Sequence, residues 1–200
     1  MGAIIDANCT CCDNKHTGEI KVPHPGSKAN KSLMTQDKMK AHTAKAFLVT
    51  CMDFRLFNDT ARIMKEKGYD VNYDQFVLAG VSLGFLQTTY PGWGKALFDH
   101  IDISLKLHKI VKVILLDHLD CGAYKTFCKG LKPEREYEEH RNNLKIAKEK
   151  ILNHFPTIKV KTWILHLDGK LDTSIDNKWV MFSALYINRD LICTVIFMVF

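Results

Sequence analysis

Three short apolar runs alternate with amphipathic segments in the middle of the chain. The runs occupy residues 46–50, 76–78 and 110–116, and compact apolar runs of this length are typical of strands buried in a parallel sheet. Residues 58–67 and 134–153 mix polar and apolar positions between helix-terminating residues, which predicts helices. Strands that alternate with helices indicate an α/β domain whose mostly parallel central β-sheet is flanked by helices.

Two further segments extend this pattern toward the C-terminal half of the chain. Residues 83–107 predict helix interrupted by Pro and Gly at 91–92, because the apolar side chains after the break are spaced three and four positions apart. Residues 160–167 alternate between apolar and polar positions, and an Asp-Gly turn at 168–169 precedes the start of a return strand at 170–172. We therefore expect an added late hairpin strand.

The two ends of the chain differ from its middle. Residues 1–33 are rich in Gly, Pro, Ser, Asn and Lys without an apolar period, and we interpret them as a flexible N-terminal arm before a domain at residues 34–175. Residues 176–200 form an apolar C-terminal tail. Its two apolar runs are each shorter than the roughly 20 residues that span a bilayer, so a buried strand or a subunit-packing segment is favoured over membrane contact.

Composition and charge exclude several classes of protein. The 200-residue chain is 46% hydrophobic and 25% charged, as in average globular domains and unlike disordered or fibrous chains. Its 28 basic and 22 acidic side chains leave a net charge of +6. Because the lysines are scattered and do not form a basic patch with interleaved aromatic residues, nucleic-acid binding is not predicted.

The seven cysteines favour thiol or metal chemistry over a disulfide framework. Their number is odd, their spacing is uneven and no secretory signal precedes them, so we expect a reducing, cytoplasmic location. Cys9, Cys11 and Cys12 with His16 form a separate cluster that could bind a second metal or carry a lipid. No predicted strand or helix holds these four side chains, and the role of the cluster stays open.

The segments that carry chemistry follow the first and third predicted strands. Residues 51–55 are Cys-Met-Asp-Phe-Arg and residues 118–122 are His-Leu-Asp-Cys-Gly, so both are expected at the carboxyl ends of parallel strands, where open α/β sheets bind ligands. The thiolates of Cys51 and Cys121 and the imidazole of His118 form a donor set that suits tetrahedral zinc. The competing interpretation is two buried cysteines and a histidine bonded to the backbone, which either segment alone would favour.

Three protein ligands would leave one coordination position open, as in catalytic zinc sites. The pKa of a water bound there falls from 15.7 to roughly 7, which yields hydroxide at neutral pH. Arg55 is placed to keep the Asp53 carboxylate ionised, and Asp53 can then accept the proton of the hydroxide in a hydrogen bond. We therefore predict Asp53 and Arg55 as catalytic residues; in an empty site, Asp53 could instead take the fourth zinc position.

Together these motifs resemble those of the β-class carbonic anhydrases, most closely the short bacterial members. The likeness covers about residues 40–172, in the order that the family has. The shared features are two ligand motifs, a loop and a late hairpin: Cys51-x-Asp53-x-Arg55, His118-x-x-Cys121-Gly122, Ala79-Gly80, and residues 163–171 with their Gly-Lys-Leu ending.

The resemblance implies a β-carbonic-anhydrase-like fold and one Zn²⁺ per chain. Cys51, His118 and Cys121 would be the metal ligands, with Asp53 and Arg55 as the orienting pair. The activity implied is the reversible hydration of CO2 to bicarbonate and a proton by zinc-bound hydroxide. The implied assembly is a homodimer or a dimer of dimers whose active sites lie at the subunit interface.

One departure from the family pattern concerns the lining of the pocket. Val77-Leu78 stands where family members usually have Arg-Asn before the Ala-Gly pair.

The sequence leaves two alternatives to carbonic anhydrase activity. One is hydrolysis of a CO2-like molecule such as CS2 or COS on the same zinc site, and the other is a non-catalytic carbonic-anhydrase-like binding subunit.

Overall fold

A five-stranded sheet forms the centre of the computed structural model, which describes residues 42–70 and 72–176. In chain order the strands are β1 (Phe47–Thr50), β2 (Asp74–Val77), β3 (Lys112–His118), β4 (Lys159–Leu165) and β5 (Leu171–Asp172). Their order across the sheet is β2-β1-β3-β4-β5, and all pairs are parallel except the β4–β5 hairpin. The predicted α/β fold with a mostly parallel sheet and a late hairpin strand is confirmed.

Helices connect the parallel strands on both faces of the sheet. They are α1 (Phe57–Glu66), α2 (Ser82–Leu86), α3 (Gly92–His108), α4 (Gly122–Phe127) and α5 (Pro133–His154), with short 3₁₀-helices at Phe54–Leu56 and Ser174–Asp176. The predicted break at Pro and Gly 91–92 separates α2 from α3, because proline is accepted at a helix start but not inside one. Among the residues described, no helix combines the length and hydropathy needed to cross a bilayer.

Alternating side chains of the buried strands build a core on each face of the sheet. In β1, Phe47 and Val49 pack with Leu97 of α3 and Leu144 of α5. Leu48 points to the opposite face, because successive side chains of a strand alternate. There it belongs to a second cluster that contains Ile63 and Met64 of α1 and Trp163 of β4. The continuous apolar runs in the sequence are thus explained by burial on both faces.

The strand order places the carboxyl ends of β1 and β3 beside each other. The chain leaves β1 for β2 on one side and then crosses to β3 on the other, and such a switch point opens a crevice at the carboxyl edge of the sheet. Cys51 follows β1 directly, whereas His118 is the last residue of β3. The prediction that His118 follows the strand is therefore wrong by a small margin, since β3 stays paired with β4 as far as His118 and Leu165.

Several predictions concern residues that the structure does not describe. The arm at residues 1–33, the Cys9–Cys12 cluster and the apolar tail after residue 176 lie outside the described residues. These assignments, the boundaries of the domain at 34–175 and the cytoplasmic location stay predictions.

Candidate metal centre

Cys51, His118 and Cys121 converge at the carboxyl edge of the sheet. One ligand atom from each, two Sγ atoms and an imidazole nitrogen, lies within 4.8 Å of the others, and the two Sγ atoms are 3.9 Å apart. His118 and Cys121 are buried, and Cys51 is half-buried. Three soft or borderline donors at these separations can surround one metal ion.

His118 is oriented by the backbone beside it. Its Nδ1 lies 2.8 Å from the carbonyl oxygen of Leu119, so Nδ1 carries the proton and Nε2 presents a lone pair. The side chain is 1% exposed, and within the described part of the chain Nε2 has no hydrogen-bond partner. A buried, unpartnered ring nitrogen beside two thiols is the arrangement expected of a metal ligand.

The two cysteine thiols lie within hydrogen-bond contact of each other, with their sulfur atoms 3.9 Å apart. The neighbouring Cys121 thiol lowers the pKa of the Cys51 thiol well below its usual range, and the backbone amides of Gly80 and Asp53 lower it further, while burial opposes them. The bond to Cys51 and burial raise the pKa of Cys121. The site therefore favours a thiolate at Cys51, which is the form that binds metals.

An ion-pair cluster joins the two loops that carry the ligands. Arg55 donates to both carboxylate oxygens of Asp53, from Nη2 to Oδ2 at 2.6 Å and from Nε to Oδ1 at 2.9 Å. It also donates to Asp120, from Nη1 to the side-chain Oδ2 at 2.9 Å and from Nη2 to the backbone carbonyl at 3.1 Å. Lys125 pairs with the remaining oxygen of Asp120. Arg55 thus contacts both the loop after β1 and the loop after β3.

Asp53 faces the ligand cluster and stays ionised. The hydrogen bonds from Arg55 lower the pKa of Asp53 from 3.8 to about 2. Its Oδ2 lies 4.0 Å from Nε2 of His118, beyond hydrogen-bond distance. The carboxylate is therefore an acceptor held next to the three ligands, with its oxygens bonded to Arg55.

A cavity of about 700 Å³ opens in front of this group, and much of its wall is aromatic. Tyr90 and Trp93 stack with ring centroids 4.7 Å apart, and Phe127 meets both rings edge-on. Lys125 lies on the polar side of the wall. Sequence reasoning missed this aromatic wall, because Tyr90 and Trp93 come from the connection between β2 and β3 and Phe127 from the connection between β3 and β4.

The Val77-Leu78 pair directly precedes Ala79 in the sequence. Val77 ends β2 and is exposed, whereas Leu78 is buried in the core. Of the residues described in this segment, Ala79 lines the cavity. The departure from the family pattern therefore affects one exposed residue, Val77, and one core residue, Leu78, and neither is among the described residues that line the cavity.

The family of the chain follows from comparison of its sequence with known proteins. The model of a family described as "Putative carbonic anhydrase" matches residues 41–174, which include all three ligand candidates. The chain belongs to this family. The predicted relation to the carbonic anhydrases is thereby confirmed.

Two similar proteins come from Rickettsia. An uncharacterized protein of Rickettsia bellii is 36% identical over 152 residues, which cover 72% of this chain and 93% of that protein. The uncharacterized protein RC0076 of Rickettsia conorii is 35% identical over 152 residues, which cover 72% of this chain and 82% of that protein. The names of these two proteins indicate no activity.

Several solved structures that match this chain are more distant in sequence. A carbonic anhydrase from Glaciozyma antarctica is 19% identical, with a TM-score of 0.43, over 73% of this chain and 98% of that one. An apo form of carbon disulfide hydrolase is 17% identical, with a TM-score of 0.44, over 68% and 81%. A structure of tetrameric β-carbonic anhydrases from Sordaria macrospora is 13% identical, with a TM-score of 0.45, over 67% and 82%. The family assignment therefore depends on the sequence matches.

Proposed function

We propose that this member of the carbonic anhydrase family is a zinc-dependent carbonic anhydrase. The observation that carries the proposal is the convergence of Cys51, His118 and Cys121 beside an ionised Asp53. The family match supports the reaction, the reversible hydration of CO2 to bicarbonate and a proton. The proposal assigns one Zn²⁺ to each chain, with these three residues as its ligands.

The donor set fits zinc better than the harder divalent cations. Two sulfur atoms and one imidazole nitrogen are borderline-soft donors, and Mg²⁺ and Ca²⁺ prefer oxygen. The unpartnered Nε2 of buried His118 gains a partner when a metal binds, which removes the cost of a buried polar atom. A zinc ion with three protein ligands supplies a water acidified enough to act as a nucleophile at neutral pH.

Asp53 would orient the attacking oxygen. Its carboxylate can only accept hydrogen bonds while ionised, so it would accept a hydrogen bond from the attacking oxygen and leave a lone pair of that oxygen directed toward the substrate carbon. Arg55 holds both oxygens of Asp53 and so fixes the direction of this acceptor. The proton released in the reaction goes to solvent through the open cavity.

The wall of the cavity suits a small, uncharged substrate. Tyr90, Trp93 and Phe127 offer apolar surface to linear CO2, while Arg55 and Lys125 place positive charge near the position where bicarbonate forms. The same aromatic surface also accommodates a larger apolar analogue. Hydrolysis of COS or CS2 is therefore the second candidate function.

A second copy of the chain is the proposed partner at this site. Three large apolar side chains lie exposed beside the ligand loop: Met52 at 69%, Phe54 at 87% and Phe57 at 74%. A monomer seldom exposes such a patch next to a functional cavity. We assign a homodimer, alone or paired into a dimer of dimers, and analytical ultracentrifugation should show Phe57→Asp shifted toward monomer. A monomeric parent protein would contradict this assignment.

Stopped-flow CO2 hydration with a pH indicator tests the proposed activity. The protein is loaded with zinc, its metal content is measured, and Asp53→Asn is compared with the matched variant Asp59→Asn. Asp59 pairs with Arg62 as Asp53 pairs with Arg55, but it lies on α1 outside the cavity wall. We expect kcat/KM to fall by about 100-fold or more for Asp53→Asn and to stay unchanged for Asp59→Asn.

Two results would contradict the proposed activity. Equal turnover of Asp53→Asn and the parent would show that Asp53 does not orient the nucleophile. Stoichiometric zinc without CO2 hydration in the parent would refute the anhydrase. Turnover of COS or CS2 in that case would establish the second candidate, and its absence would favour a binding subunit.

A further inference from the structure

A buried carboxylate, Asp117, lies directly before the ligand His118. It is the sixth residue of β3 and only 1% exposed. Ser82 donates to it twice, from its amide to Oδ1 at 3.1 Å and from its hydroxyl to Oδ2 at 2.6 Å. The hydroxyl of Tyr124 and Nδ1 of His140 donate to Oδ2 at 3.0 and 2.8 Å. One carboxylate therefore joins β3 to α2, α4 and α5.

Through Ser82, Asp117 fixes the loop that contacts Cys51. Ser82 is the first residue of α2, and Val81 before it has φ 42° and ψ −96°, a conformation that a β-branched residue adopts only when its surroundings impose it. Leu83, the next residue of α2, packs in one cluster with Cys51 and Cys121. The two hydrogen bonds from Ser82 to Asp117 hold this strained backbone in place.

Through Tyr124 and His140, Asp117 fixes the elements around Cys121. Tyr124 lies on α4, the helix that begins directly after Cys121, and its ring stacks on that of His140 with centroids 3.7 Å apart. One turn before His140 on α5, Glu136 accepts the amide proton of Cys121 at 3.3 Å. The position of the Cys121 backbone thus depends on the two helices that Asp117 joins.

Stability of the fold alone does not account for this arrangement. Taking a carboxylate out of water costs several kcal/mol, and well-packed apolar side chains of similar volume usually stabilise a core as well or better. All three residues that donate to Asp117 come from elements next to metal ligands. The arrangement is the one by which proteins orient ligands before the metal arrives.

We propose that Asp117 is a positioning residue of the metal centre, which holds the backbones of Cys51 and Cys121 at the separation that a metal requires. The inference depends on the proposed metal site and goes beyond it, because it assigns metal affinity to a residue that is not a ligand. It also assigns supporting roles to Ser82, Tyr124 and His140.

A matched pair of tyrosine variants tests this inference. Tyr124→Phe removes one hydrogen bond to Asp117 and keeps the ring, while Tyr137→Phe removes an equivalent bond to Asp172 at the β5 hairpin. Binding of Co²⁺ is followed by the thiolate-to-cobalt absorption band, and zinc affinity by competition with a chromophoric chelator. We expect Tyr124→Phe to bind either ion about 10-fold more weakly, with a shifted cobalt band, and Tyr137→Phe to match the parent.

Asp117→Asn and Ser82→Ala extend the test to the centre of the cluster. Asn cannot accept from all the donors that Asp117 serves, so its metal affinity should fall by about 10-fold to 100-fold. Should Asp117→Asn fail to fold, Ser82→Ala and Tyr124→Phe still decide the matter, since each removes a single hydroxyl.

The outcomes separate this inference from the proposed function. A parent protein that binds neither Co²⁺ nor zinc would refute the metal site itself. A parent that binds metal, with folded Tyr124→Phe and Ser82→Ala variants of unchanged affinity and cobalt spectrum, would overturn only the role of Asp117. An equal loss of affinity in Tyr137→Phe would also overturn it, because the effect would then be general destabilisation.

Discussion

Replacing Arg55 with Gln should slow CO2 hydration without changing the charge of Asp53. Arg55 donates to both oxygens of Asp53 and to the side chain and carbonyl of Asp120. Gln offers one amide group in place of the guanidinium, so it cannot hold both acceptors at once. In Arg55→Gln the Asp53 carboxylate is therefore no longer held in one orientation.

The pKa values separate orientation from ionisation. Arg55 lowers the pKa of Asp53 from 3.8 to about 2, so losing Arg55 returns the pKa toward 3.8. The protonated fraction at pH 7 would still be below roughly 0.1%. Because the native pKa is the lower one, any stability that the pair contributes disappears only as the pH falls through that acidic range. The rate loss at neutral pH must then come from orientation.

We expect kcat/KM of Arg55→Gln to fall by about 10-fold to 100-fold, the usual effect of losing an orienting partner at a metal site. The loss should be the same from pH 6.5 to 9 in stopped-flow assays. Arg62→Gln is the matched control, because Arg62 also bridges two carboxylates, Asp59 and Glu66, and is 44% exposed against 40% for Arg55. Both exposed clusters should add only about 0–1 kcal/mol to stability.

Two results would refute this reasoning. Full activity in Arg55→Gln would show that the nucleophile needs no orientation from Asp53. A loss that disappears as the pH rises would show that Arg55 acts on a protonation step instead.

Two further predictions concern stability. Gly84→Ala should lower the free energy of unfolding, measured in urea, by about 1–3 kcal/mol, because a Cβ there would collide with the backbone oxygen of Ala79. Gly92→Ala is the control and should change the free energy of unfolding little, because nothing lies within 4 Å of its added Cβ. Equal stability of the two variants would contradict the packing described. A strong chelator should lower the melting temperature of the zinc-loaded parent, because metal that binds only the folded state stabilises that state. The melting temperature of Cys121→Ser should not change when the chelator is added. A parent whose melting temperature is insensitive to the chelator would contradict a structural contribution of the metal.

The strands and the two ligand motifs could be predicted from sequence because their signals are local. Apolar runs such as 46–50 reflect burial on both faces of a sheet, and Cys51 and His118 each lie at the end of such a run. Their convergence follows from a general property of parallel sheets, whose carboxyl ends share one edge.

The cluster around Asp117 could not be predicted in the same way. Its members come from four elements and have no common spacing, so only the tertiary structure brings them together. Two local signals were nevertheless present. Asp117 interrupts the apolar run of β3, and His140 continues the buried stripe of Leu144, Ala147 and Ile151 on α5. A polar residue in a buried position needs a partner, and both signals indicated one.

The most direct test of the metal centre is zinc K-edge X-ray absorption on the loaded protein. The account predicts two sulfur atoms at about 2.3 Å, an imidazole nitrogen at about 2.0–2.1 Å and one further light atom. Ser in place of Cys51 should remove one sulfur from this shell. A first shell without sulfur, or one unchanged by Cys51→Ser, would contradict the assignment of Cys51, His118 and Cys121 as the zinc ligands.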